Sequence, residues 1–278
     1  MQKMVAVITG ANSGIGKETA RYLTRRGYHV VMVCRNASKA ETAKTELEQG
    51  IQGASLDIEL CDLSNMQDVR NLGERLRQKH PQLHRLINNA GILSPAKREL
   101  TDEGFEKTFA TNHLAYFLLT RKLLPVLKAT PGARIINVAS DAHRYGRFQR
   151  DNVQLERGYN TSKAYGNSKL FNIMFTHELA KQLKGTGVSA YSLHPGVVNT
   201  HFARNNRSFF GLMFNLGRLF MMSPEKGART TNYLATEPDI ESLSGNYFSR
   251  SKLASAAPAA TKDDDCRALW TYSESCLS

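Results

Sequence analysis

Cysteine and tryptophan are scarce in this 278-residue chain, at four and one. Cys34, Cys61, Cys266 and Cys276 make no CxxC pair and stand at no zinc-finger spacing with histidine, and HExxH does not occur. Neither a disulfide framework nor a structural zinc organises such a chain. Long apolar runs are missing too: no stretch reaches the roughly 18 residues that a membrane span needs, and the N-terminus enters MVAVITG without signal-peptide architecture. The expectation is a soluble protein of a reducing compartment, cytoplasmic or peripheral at a membrane surface. No repeat, low-complexity tract or Pro/Gly/Ser-rich linker divides the sequence, so residues 1–278 read as one domain.

Acidic residues are in deficit, with 25 Asp and Glu against 37 Lys and Arg, a net charge of +12. The cations are spread along many amphipathic stretches, and no helix-turn-helix, zinc-finger or RNP signature accompanies them. They read as a solvated basic surface that also attracts a phosphate-bearing ligand, not as a nucleic-acid interface. With 41% hydrophobic and 22% charged residues the composition is that of an ordinary globular protein, which excludes disorder and fibre.

What is present is a rhythm. Short apolar, β-branched runs at 4–9, 29–34, 55–60, 83–88, 133–138 and 188–193 alternate with amphipathic stretches, and 245–249 supplies a seventh. Strands apolar on both faces and separated by helices predict an α/β, doubly wound, mostly parallel seven-stranded sheet. Two segments break the rhythm: 202–222, containing FFGLMFNLGRLFMM, reads as a substrate lid, and the Ala/Pro/Asp-rich 254–265 as a surface connector.

Directly after the first strand comes Thr9-Gly10-Ala11-Asn12-Ser13-Gly14-Ile15-Gly16, then a helical pattern. At such a turn Gly10 permits the bend, Gly14 lets backbone approach a pyrophosphate and Gly16 allows close packing, with helix N–H groups facing the anion. The residue ending the second strand, nineteen positions after Gly16, is Arg35. An acid there would accept from a free ribose 2′-OH, whereas a guanidinium pairs with a 2′-phosphate, so NADP is expected over NAD. Asp62, after the third strand, is a candidate acceptor for the adenine amino group, with local capping around Ser64 as the competing account. Asn88-Asn89-Ala90-Gly91 ends the fourth strand as a turn suited to packing against a cofactor.

The fifth strand delivers Ser140 at its carboxyl end, where open α/β sheets bind ligands, and Tyr165 and Lys169 stand at i and i+4 on one helical face. A cation beside a phenol lowers its pKa toward the range of acid/base work. Tyr159 and Lys163 repeat the spacing, but Tyr159 follows Gly158 in a polar stretch while Tyr165 leads Leu170, Met174 and Leu179 down a helix. Tyr165 is therefore the candidate acid/base, and Tyr159 a loop or pocket aromatic.

TGANSGIG, NNAG, the serine after strand five, YGNSK and His194-Pro195-Gly196-Val197 occur in an order that resembles the short-chain dehydrogenase/reductase family over nearly the whole chain. The resemblance implies that Ser140 polarises the substrate oxygen, Tyr165 exchanges its proton, and Lys169 lowers the tyrosine pKa and holds the nicotinamide ribose. It also implies that Asn112 supports a water between Lys169 and solvent. The NADP(H) contacts it implies are Gly10, Asn12, Ser13, Gly14, Ile15, Gly16, Arg35, Asn36, Asp62, Leu63, Asn89, Ala90, Gly91, Pro195, Gly196, Val198 and Thr200, with Tyr165 and Lys169.

Cys34-Arg35-Asn36, the run Thr111 to Thr120 and Ser168-Lys169-Leu170-Phe171-Asn172 look like the retinol dehydrogenase branch. That implies a lipophilic substrate such as a retinoid or fatty aldehyde and a homo-oligomer through the long helices, and an exposed apolar lid beside Arg204, Arg207 and Arg218 would also suit a peripheral membrane contact. Two departures stand out: Val138-Ala139-Ser140 replaces the branch's double serine, and the branch's N-terminal membrane anchor is not in the sequence. The alternatives are a protochlorophyllide reductase-like pigment reductase and a non-catalytic NADP-binding sensor. Only twenty-five positions separate Ser140 from Tyr165, too few for the pigment enzymes' insertion, and an intact Ser140, Tyr165, Lys169 and Asn112 is more than a sensor needs.

Overall fold

A computed structural model describes residues 3–196 and 222–278. Strand β1 (Val5–Thr9) is wholly buried and turns through glycine into α1 (Gly14–Arg25). There follow β2 (His29–Cys34), α2 (Ala37–Gly50), β3 (Leu56–Leu60), α3 (Met66–Lys79) and β4 (Arg85–Asn88). A helical turn Lys107–Phe109, a π-helical turn Ala110–Leu114 and helix α4 (Ala115–Lys128) then run on from one another. The chain continues through β5 (Arg134–Val138), α5 (Thr161–Gln182), β6 (Ser189–His194), α6 (Pro224–Thr236), β7 (Tyr247–Ser249), β8 (Lys252–Leu253) and α7 (Asp263–Ser275).

The sheet order is β3-β2-β1-β4-β5-β6-β7-β8, parallel throughout except where β8 returns against β7. The expected parallel α/β sheet is there, with eight strands in place of seven. The eighth is two residues of hairpin made possible by Arg250 and Ser251, both at positive φ, a turn that carries no apolar signature in the sequence. Chain order reverses between β1 and β4, so a crevice opens at the carboxyl ends of these strands.

Two apolar layers flank the sheet, one under α3, α4, α5 and α7, the other under α1, α2 and α6. At the opposite, amino edge, register partners Arg85 and Arg134 are buried side by side. Arg85 donates to the Ala235 carbonyl, and Arg134 to those of Leu234 and Glu237, at the C-terminal end of α6. Cations there satisfy orphan carbonyls and oppose the helix dipole, so part of the chain's positive charge is internal.

The stretch 254–265, expected as a surface connector, is structured instead. It holds the short helix Pro258–Thr261 and the start of α7, and Ala260 is fully buried. Helix α7 seats Trp270 edge-on to Phe117 of α4, with ring centroids 4.8 Å apart, and stacked on Phe175 of α5 at 5.8 Å. An oligomer built through the long helices would therefore meet α7 rather than bare α4 and α5. Trp270→Ala, which empties a site only 9% exposed, is expected to destabilise the fold by about 3–5 kcal/mol in urea unfolding. Circular dichroism is the probe, because the substitution removes the chain's single tryptophan.

Candidate active site

The glycine turn is built as the sequence suggests. Gly10 and Gly14 adopt φ of +67° and +55°, the region where only glycine is unstrained, and the Gly10 N–H reaches the Val33 carbonyl at 2.8 Å. A Cβ on Gly16 would lie 2.3 Å from the Gly10 carbonyl oxygen, so bare backbone is required for α1 to pack on the turn. Asn89 and Ala90 both donate their N–H groups to Thr9 Oγ1 at 2.9 Å, and Asn89 Nδ2 donates to the Thr9 carbonyl at 2.8 Å. The NNAG turn thus clamps the end of β1, and Tyr116 holds its far side by donating to the Ala90 carbonyl at 2.7 Å.

Around the turn, Asn12, Gly14 and Ile15 are half-buried and Ser13 is exposed. Arg35 projects from the end of β2 with its side chain 71% exposed, 3.9 Å from the Asp62 carboxylate. Asp62 Oδ1 accepts from the Ser64 N–H at 2.9 Å and its hydroxyl at 2.7 Å, while the capping of α3 falls to Asn65. Ser64 is therefore a partner of Asp62 rather than a cap, and Oδ2 is the carboxylate oxygen that lies 3.9 Å from Arg35 Nη1. Asn36 uses its side chain to cap α2 at Lys39 N, and the Leu63 side chain belongs to the core, which leaves its backbone for any ligand. Pro195 and Gly196 are half-buried at the end of β6, Gly196 with φ of +91°. Val198, Thr200 and nearly all of the expected lid lie outside the described residues.

The catalytic candidates converge from three elements. Ser140 follows β5, Tyr165 and Lys169 lie in α5, and Asn112 lies in the π-helical turn. The Tyr165 phenol stands near the Ser140 hydroxyl; burial pushes it up to about 12, with the serine partly offsetting that rise. Lys169 is 3% exposed, and burial pushes it down to about 8. Its Nζ donates to the Val138 carbonyl at 3.1 Å and stands 5.6 Å from the Tyr165 ring centroid. The cation thus lies over the ring, and burial rather than the lysine governs the phenol in this structure. Asn112 Oδ1 accepts from Ile92 N at 2.8 Å, while Nδ2 donates to the Ile92 carbonyl and to Ser168 Oγ. Gly91 separates Asn112 from Lys169, since a Cβ there would lie 3.2 Å from Asn112 Oδ1 and 3.5 Å from Lys169 Nζ.

Tyr159 is outside this group. Its hydroxyl donates to the Pro95 carbonyl at 2.8 Å and ties the entry of α5 to a loop. Sequence reasoning missed the layer behind Ser140: Asp141 accepts from Tyr247 at 3.0 Å and faces His194 Nε2 at 3.4 Å, and His143 bonds the Ser140 carbonyl at 2.7 Å. Only the HPG motif and the closeness of 141 and 143 to Ser140 point there in sequence.

Burying the Lys169 cation costs stability, and the sign is testable. The folded chain disfavours the charged form, so between about pH 8 and the ordinary lysine value of 10.5 the unfolded chain binds more protons and stability rises with pH. Lys169→Met removes the cost, on the order of 3 kcal/mol less the lost hydrogen bond, and the Val138 carbonyl keeps Asn172 Nδ2 at 3.3 Å. Urea unfolding should show a more stable variant at pH 7 whose advantage shrinks by pH 10.

Known proteins match this arrangement. The family described as short chain dehydrogenase matches residues 4–209. Mouse retinol dehydrogenase 12 is 42% identical over 269 residues, covering 97% of this chain and 84% of that protein. Human retinol dehydrogenase 11 is 41% identical with the same coverage. A crystal structure of a protein from Mycobacterium paratuberculosis superposes with a TM-score of 0.79 at 30% identity, covering 98% of this chain and 92% of that one. The glycine turn, the clamped NNAG and the Ser140, Tyr165 and Lys169 constellation thus sit in a chain that belongs to the short-chain dehydrogenase/reductase family and is retinol dehydrogenase-like.

Proposed function

We propose that this oxidoreductase moves a hydride between NADP(H) and a carbonyl or alcohol on a lipophilic substrate of the retinoid or fatty aldehyde type. The observation that carries the reading is the convergence of Ser140 and Tyr165 with the Lys169 ammonium 5.6 Å from the phenol ring, at the carboxyl edge of the sheet beside a glycine turn. The single sheet formed by the described residues supports one domain, and the apolar sequence FFGLMFNLGRLFMM supports 202–222 as its substrate lid. The resemblance to retinol dehydrogenases supports the lipophilic substrate, the apolar and arginine-bearing sequence of 202–222 supports a peripheral membrane contact, and a homo-oligomer is part of the proposal. Among the described residues no helix is long and apolar enough to cross a membrane.

The residues fit the cofactor. Bare backbone at Gly10 and Gly14 admits a pyrophosphate, and Arg35 has donors to spare because its one carboxylate neighbour among the described residues, Asp62, is 3.9 Å away. Asp62 Oδ2 is left to accept from the adenine, and Lys169 and Gly91 border the place of the nicotinamide ribose. When bound, the nicotinamide supplies the hydride. Ser140 holds the substrate carbonyl oxygen by donating its hydroxyl hydrogen, and Tyr165, at about 12, keeps its proton at neutral pH and can give it to that oxygen. Lys169, protonated below about 8, stabilises the negative charge left on the phenol, and Asn112 keeps the Ile92 turn in place beside it. In the oxidative direction the same pair must first lose a proton, which burial of Tyr165 opposes.

Turnover of NADPH with retinal, medium- and long-chain aldehydes, steroids and small ketones tests the reading. Tyr165→Phe should abolish turnover while NADPH still binds, and Tyr159→Phe should remain active; the reverse pattern would overturn the assignment. Arg35→Ala should weaken NADPH by roughly ten- to a hundredfold, the worth of a charged hydrogen bond of about 1.5–3 kcal/mol, and hardly change NADH. Arg35→Asp should approach or pass inversion of the preference. Fluorescence titration of both cofactors at two salt concentrations reads this, and a wild-type protein that binds NADH as tightly as NADPH sinks the NADP assignment.

A further inference from the structure

The turn that carries Ser140 is held at both ends. Ser140 caps the short helix Asp141–Tyr145: its Oγ accepts from Ala142 N at 3.2 Å, which leaves the hydroxyl hydrogen to point at Tyr165 or a substrate oxygen. At the far end Gly146 lies on α5, where a Cβ would come within 2.6 Å of the Gly166 carbonyl oxygen, one residue past Tyr165. Between them His143, wholly buried, donates its backbone N–H at 3.0 Å and its Nδ1–H at 2.7 Å to the Ser140 carbonyl. Because a carbonyl can only accept, Nδ1 carries the hydrogen, and the bare Nε2 accepts from Ala257 N at 3.0 Å. Ala257 belongs to a segment fixed to the sheet and to the same turn: Ala254 N donates to the Tyr247 carbonyl, and Arg144 donates to the Ser255 carbonyl. The His143 ring packs edge-on to Tyr247, centroids 5.0 Å apart, and the Tyr247 hydroxyl donates to Asp141.

We propose that His143 is a positioning residue for Ser140, transmitting the anchorage of the C-terminal segment at Ala257 to the Ser140–Asp141 peptide and so to the direction of the serine hydroxyl. If that peptide rotates, the Asp141–Ala142 peptide that follows it is carried along, the Ala142 N–H leaves Oγ and the hydroxyl loses its orientation toward Tyr165. The proposal rests on the reading of Ser140 and Tyr165 as catalytic residues.

Isosteric variants separate the two bonds. An asparagine places an amide donor where Nδ1 stands and keeps the bond to the Ser140 carbonyl, whereas a glutamine places its amide at the reach of Nε2 and keeps only the Ala257 side. His143→Gln and His143→Phe should lower kcat by about 10- to 100-fold, the loss expected from a small misplacement, with KM for the aldehyde and NADPH binding unchanged, and His143→Asn, which keeps the Ser140 bond and loses the Ala257 one, should recover part of that loss, to the level of Ala257→Pro. Ala257→Pro, which the φ of −61° at that residue accommodates, replaces the N–H by a ring methylene directed at Nε2 and so breaks this bond; it should lower kcat to the level of His143→Asn without moving KM. Wild-type kcat in a folded His143→Phe or in Ala257→Pro overturns the proposal, as do Asn and Gln variants that are equally slow. If His143→Phe does not fold, the Asn, Gln and Ala257→Pro comparison decides. Tyr165→Phe run alongside separates the two claims: inactive Tyr165→Phe with active His143→Phe removes only the positioning role, and active Tyr165→Phe removes both.

Discussion

The bond from Lys169 Nζ to the Val138 carbonyl joins the two elements on which the site depends. Val138 ends β5 two residues before Ser140, and Lys169 lies one helical turn beyond Tyr165, so this contact sets how α5 sits on the strand that delivers the serine. It is made by a cation at 3% exposure, and such a group stays inside only if the chain around it is closely packed. Much of the surrounding structure answers that need. Asn172 shares the Val138 carbonyl, Gly91 leaves room beside Nζ, and Asn112 holds Ile92 by both ends of its amide.

Behind this contact the sheet carries a buried polar ladder. Asn88 donates to Thr120 and to Asn137, Asn137 donates to Thr176, and Thr176 donates to the Asn172 carbonyl. Each amide donor in the ladder is paired, and in a low-dielectric interior losing its partner would be costly, so the ladder helps hold β4 and β5 in register and α5 on top of them. Asn88 therefore serves the scaffold, and its neighbour Asn89 serves the cofactor turn, a division of labour within one tetrapeptide.

The strands and the glycine turn were legible because their signals are local: apolar runs of four to six residues, and glycines at a strand-to-helix junction. Tyr165 could be told from Tyr159 for the same reason, since helical periodicity follows one and a polar stretch precedes the other. The eighth strand was not legible, because two residues after a tight turn carry no pattern. The layer of His143, Asp141, His194 and Tyr247 was not legible either, because it joins segments more than fifty and a hundred residues apart and uses ordinary polar residues. Spacing placed Lys169 on the face of Tyr165, but spacing says nothing of depth. Burial, a tertiary quantity, is what moves the phenol up to about 12 and the ammonium down to about 8.

Depth also explains why the C-terminal stretch, read as a connector, bears on the chemistry. It reaches the site from two sides. Ala257 meets His143 behind Ser140, and Ser273 of α7 accepts from Nε2 of His113, the residue after Asn112. His113 is wholly buried among Phe109, Phe171 and Phe175, and burial pushes it down to about 3, so it remains neutral at any working pH. A neutral imidazole with Nε2 donating to Ser273, whose own hydrogen goes to the Leu269 carbonyl, fixes the π-helical turn that presents Asn112. Helix α7 covers the aromatic face of α4 and α5 and in doing so fastens the Asn112 side of the crevice, while the segment just before it fastens the Ser140 side. The last quarter of the chain contributes none of the family's motif residues, yet the relative placement of the two flanks rests on it.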